Sequence, residues 1–142
     1  MVGIKSAWNT IYNLINNNVS DPENRGKKWI FGTSPDVNAK NFCGYPIIVI
    51  YNPEFSEEKL AFLNLRERPL IIRILVITTK AEQLSTLTDS VIQAIENGEA
   101  SLRDAGLHNF EFNTSSSSVE WMSGGWKRHT KEIELTCRGL NN

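Results

Sequence analysis

The chain has 142 residues, with 15 lysines and arginines against 16 aspartates and glutamates, and a formal net charge of −1. That length suits one domain with a sizeable core, and the balanced charge argues against a broadly cationic nucleic-acid binder. An apolar fraction of 40% and a charged fraction of 22% are those of a soluble globular protein rather than a membrane or disordered one.

The longest apolar run, Leu70 to Ile77, is too short for a bilayer span, which takes about 20 residues. No apolar segment follows Met1-Val-Gly-Ile-Lys-Ser-Ala-Trp8, so no signal peptide is expected and the cytoplasm is the default compartment. Cys43 and Cys137 form no CxxC motif. In an unsecreted chain two such thiols are expected reduced and packed, a disulfide being the other reading.

In chain order, Ile4, Trp8, Ile11, Tyr12, Ile15 and Val19 recur every three or four residues and predict an amphipathic helix from Ile4 to Asn18. The Asn16-Asn17-Asn18 run ends it, and Ser20 to Gly26 reads as turn. Lys27 to Phe31 reads as a short strand, Gly32 to Gly44 as irregular, and Pro46 to Tyr51 as a buried strand stopped by Asn52-Pro53. Phe55 to Arg68 reads as a loop with a helical turn, broken by Arg66-Glu67-Arg68-Pro69.

Leu70 to Thr79, apolar apart from Arg73 and the closing threonines, predicts a strand buried on both faces. A helix follows, with Thr79 and Glu82 as a capping box and Leu84, Leu87, Val91, Ile92 and Ile95 as its apolar stripe. Gly98 is placed to close it in a left-handed conformation. Leu75 and Ile92 are assigned to the core on this reading. Glu99 to Ala105 predicts a short helix, and Phe110 and Phe112 mark a half-buried strand. The run Thr114 to Ser118 reads as a hairpin tip or loop, and Val119 to Met122 as a returning strand. In the closing strand Ile133, Leu135 and Cys137 face the core; Glu132, Glu134, Thr136 and Arg138 face water. The whole is α+β: an antiparallel or mixed sheet with the N-terminal and central helices packed on one face, residues 1–142 forming one domain.

Chemistry-bearing motifs are scarce. The sequence contains no GxxxxGK[ST] and no GxSxG, and His108 and His129 have no partner at metal-ligand spacing. No cofactor and no catalytic residue is assigned. Glu132 and Glu134 share a strand face beside Lys131, the donor types of a metal-dependent nuclease, although the opposite face is apolar and the solvent side of an antiparallel strand is the simplest assignment. Lys127-Arg128-His129-Thr130-Lys131 is a local basic cluster, suited to a solvated strand end or to contact with a nucleic-acid backbone or an acidic partner surface. Trp121 and Trp126 bracket Ser123-Gly124-Gly125. Either they are contact residues of a protein–protein surface, or the tip folds back on the domain. Trp121, Trp126, Lys127 and Arg128 are the candidate interface residues.

One family resembles this pattern. The N-terminal helix around Trp8 to Ile11, the strand Ile71 to Ile77, the helix Glu82 to Glu96, the phrase Leu102-Arg-Asp-Ala-Gly106 and the closing strand Thr130 to Arg138 together look like the tail-terminator (tail-completion) proteins of long-tailed bacteriophages and archaeal viruses. The resemblance implies an α+β fold and a non-enzymatic structural role in the virion tail or neck, assembled in the host cytoplasm. It implies a homo-oligomer, a hexameric ring, that contacts the tail tube protein and the head connector proteins. It implies no membrane partner and no sequence-specific nucleic acid. A small α+β protein-binding or regulatory module is the alternative, with the metal-dependent nuclease behind it.

Overall fold

The computed structural model describes residues 4–55 and 67–140. Its elements are α1 (Ile4–Asn18), β1 (Ile30–Phe31), β2 (Ile47–Ile50), β3 (Glu54–Phe55), β4 (Glu67–Thr78), α2 (Ala81–Asn97), α3 (Glu99–Asp104), β5 (Leu107–Thr114), β6 (Ser118–Trp121) and β7 (Lys127–Leu140). The expected helical turn between Phe55 and Arg68 lies mostly outside the described residues. The fold is α+β with a mixed sheet.

The strand order is β1-β2-β4-β7-β5, with β3 also on β4 and β6 also on β7. Among the described strands only β1 and β2 pair in parallel; the other pairs are antiparallel. The β4–β7 ladder is the spine, running from Glu67↔Leu140 to Thr78↔His129. Its length follows from two long alternating segments that place apolar side chains opposite each other, Ile72 against Leu135 and Ile74 against Ile133.

Leu70, Ile72, Ile74 and Val76 of β4 and Ile133, Leu135 and Cys137 of β7 meet Ile11 and Ile15 of α1 and Leu84, Leu87, Val91 and Ile95 of α2 in one buried cluster. One sheet face thus carries the helices. Of the strands expected to be buried on both faces, β2 is. In β4 the alternate residues Ile71, Arg73, Leu75 and Ile77 are only half-buried. Their face carries no helix among the described residues, so Leu75 is not a core residue, and Ile92, half-buried at the edge of the α2 stripe, only packs against the core.

Three local expectations are corrected. The capping box at Thr79 and Glu82 does not form: β4 continues to Thr78, Lys80 is the N-cap with extended backbone, and no side chain caps it. The hydroxyl used is that of Thr78, which donates to the Lys80 carbonyl at 2.8 Å. Gly98 closes α2 as expected and leads into α3, but at φ −96° rather than in the left-handed region. Its lack of a side chain serves closeness instead, since a Cβ there would lie 2.4 Å from Leu14 Cδ2 of α1. The serine run is the loop expected of it, over residues 115–117, but not a hairpin tip. It interrupts one edge, where β5 and then β6 pair with β7. Ser115 carries the ladder across the break: its N–H donates to the Glu132 carbonyl and its hydroxyl accepts from the Glu132 N–H, both at 2.9 Å.

Candidate functional site: an aromatic and basic hairpin

The hairpin turn lies at Met122–Trp126. The Met122 N–H donates to the Trp126 carbonyl at 2.8 Å, and the Gly125 N–H to that of Met122 at 3.2 Å. Gly124 and Gly125 have φ of +96° and +83°, a region glycine enters at little cost. The sequence therefore makes a tight turn here and sets Trp121 directly opposite Lys127 across the ladder.

All four residues of β6 are exposed. The register puts Val119, Trp121, Lys127 and His129 on one side of the hairpin, and Glu120 and Arg128 on the other. Trp121 is 71% exposed and Val119 50%, at an end of the sheet that none of the described helices covers. The Lys127 ammonium stands over the Trp121 ring, 4.5 Å from its centroid, a cation–π contact that keeps the indole flat under a positive charge.

The other side is braced. Arg128 donates to Glu120 at 2.7 Å. The nearby Tyr45 hydroxyl and this bond to Glu120 hold the guanidinium above its ordinary basicity. Trp126 lies 5.6 Å, centroid to centroid, from the Tyr45 ring. Between loop and turn lies a cleft of about 240 Å³, lined by Val37, Asn38, Tyr45, Met122, Ser123 and Trp126. The loop is itself fastened. Arg25 donates to the carbonyls of Cys43, Gly44 and Pro46 at 3.2, 2.7 and 2.7 Å, while Asp21 grips the same guanidinium at 2.9 Å. Burial raises the Asp21 carboxyl, but the hydrogen bond and charge of Arg25 and the N–H groups of Glu23 and Arg25 outweigh it and hold the group below its ordinary value.

Trp121, Trp126, Lys127 and Arg128 are thus brought together at one hairpin end, in two different roles. Trp121 and Lys127 face outward, while Trp126 and Arg128 fasten the tip to the 33–46 loop. Tyr45, Asp21 and Arg25 were not singled out in the sequence. A tyrosine between Gly44 and Pro46 in an aperiodic loop gives no sign of its partner 81 residues on.

The carboxylates considered for a metal site have a different neighbour. Arg73 lies on the helix-free face between Glu54 at 3.1 Å, Glu132 at 3.4 Å and Glu134 at 4.0 Å. Lys131 pairs with Val76 and so belongs to the opposite face. The proposed Glu132, Glu134 and Lys131 constellation is therefore not assembled. Among the described residues no three His, Cys, Asp or Glu side chains cluster closely enough to hold a metal ion. Cys43 and Cys137 are both free thiols. No described helix is long and apolar enough to cross a membrane. Comparison with protein-family models and with curated proteins found no match.

Proposed function

We propose that the chain is a structural assembly protein of a tailed virus, a tail terminator or head–tail joining component, and that it works through the projecting hairpin. The observation that carries this reading is Trp121, 71% exposed on a hairpin that Tyr45, Trp126 and Arg128 brace from behind. A large exposed aromatic ring on a rigid support is the composition of an interface anchor, because little conformational entropy is lost when it docks. The α+β arrangement, with helices on one face of a mixed sheet, agrees with the fold the resemblance implies. A ring of such subunits ends a tail tube and offers its outer surface to the head connector. No chemical step is assigned to it.

The test is the native mass, by light scattering behind a sizing column, with class averages from electron micrographs of the same fractions. The expected result is a closed ring of six copies, alone or on purified tail tubes. A chain that stays monomeric and fails to bind tail tubes overturns the proposal and reassigns the hairpin to a small protein-binding module.

A further inference from the structure

We propose that the hairpin of one copy docks on the helix-free sheet face of the next copy, with Trp121 and Lys127 set against Glu54, Glu132 and Glu134. This rests on the assembly reading above and names the surfaces that would close the ring. The outward side of the hairpin carries Lys127, and two residues along the same strand face comes His129 and then Lys131. Neither lysine takes part in the ion pairs formed among the described residues. The two lysines give that side a charge of +2. The carboxylate nearest the tip, Glu120, is taken up by Arg128 on the other side.

The helix-free face offers the complement. Three carboxylates, Glu54, Glu132 and Glu134, stand around the single guanidinium of Arg73, leaving −2. Beside them Ile71, Leu75 and Ile77 are half-buried, an apolar floor on which an indole can lie. A +2 aromatic projection and a −2 face with apolar ground match in sign and in character.

The geometry also fixes the kind of contact. The lysines stand on the helix-bearing side of β7 and the carboxylates on its opposite side. Two copies related by a two-fold axis present the same patch to each other, so one partner does not cover both surfaces. Contact runs head to tail, from each copy to the next, and such contacts close into a ring when the rotation per step allows it.

Charge reversal tests this in solution. Lys127→Glu with Lys131→Glu turns the hairpin to −2. Glu54→Lys with Glu132→Lys turns the receiving face to +2 while leaving Glu134 beside Arg73. Each doubly substituted chain then carries like charges on both surfaces, and each alone is expected to lose the assembled species in low salt and elute as monomer, with circular dichroism confirming the fold. Mixed in equal amounts, the two restore opposite charges at every contact and are expected to recover the wild-type mass, as an alternating assembly with an even number of subunits. The wild-type contact is expected to weaken as salt shortens the screening length. Reversed chains that assemble as the wild type does, or a folded mixture that stays monomeric, overturn the proposed contact. In those cases a wild-type ring leaves the assembly reading standing. A wild-type chain that never self-associates in low salt overturns the contact, and its binding to tail tubes then decides the assembly reading separately.

Discussion

Gly98→Ala reports on how closely α1 approaches the α2–α3 junction. The added Cβ would meet Leu14 Cδ2 at 2.4 Å, Cδ1 at 2.8 Å and Cγ at 3.1 Å, so the leucine must move as a whole rather than swing one methyl. Overpacking of this kind costs about 1–3 kcal/mol. Against it stands a gain of roughly 0.4–1 kcal/mol from the smaller entropy of the unfolded chain, since φ −96° is open to alanine. The net expectation is a loss of about 1–2 kcal/mol by urea unfolding. The sign should change when the obstacle is removed. In a Leu14→Ala background the same substitution is expected to be neutral or stabilising, so the double-mutant cycle yields a coupling of about 1–3 kcal/mol. A Gly98→Ala effect that is equal in both backgrounds would refute the close approach of α1 to Gly98.

Ile74→Ala, at a fully buried β4 position, should cost about 2–5 kcal/mol, and Leu75→Ala on the helix-free face clearly less; equal losses in denaturant titrations would mean the two faces of β4 are assigned the wrong way round. Asp21 is held below its ordinary value of 3.8, so its pair with Arg25 contributes stability above that pH and loses it as pH falls through 3.8 towards the folded value. The melting-temperature gap between wild type and Asp21→Asn should therefore narrow in that acid range, and a constant gap from neutral pH to acid would contradict the pairing. Burial pushes the Cys137 thiol up to about 12, so a thiol reagent should label half-buried Cys43 in the native protein and reach Cys137 only in denaturant.

Much of this fold is legible in the sequence because periodicity reports burial. The stripe from Ile4 to Val19 gives α1, and the alternation from Lys127 to Arg138 gives the core face of β7. Where the sequence misleads, a second element decides. Leu70 to Thr79 is apolar enough for two buried faces, but nothing in its own pattern reveals that no helix covers the second face. Gly98 reads as a helix stop from its position, and only the leucine one helix away shows why it is glycine. The serine run has loop composition, yet a serine hydroxyl accepts the ladder bond a backbone carbonyl would take, so the edge continues past it. At the candidate site, Trp121 and Trp126 are conspicuous beside a glycine pair. Their division of labour depends on Tyr45, and the meaning of Glu132 and Glu134 on Arg73 across the ladder. Both are tertiary partners with no local sequence signal.

The central claim, assembly through the exposed hairpin, is tested most directly by light scattering behind a sizing column, run on wild type and Trp121→Ala side by side. Truncating an exposed ring leaves the fold intact and removes the anchor. The wild type is expected to run as a multi-subunit ring and Trp121→Ala to shift to monomer at the same concentration. Two chains of identical assembled mass would contradict it.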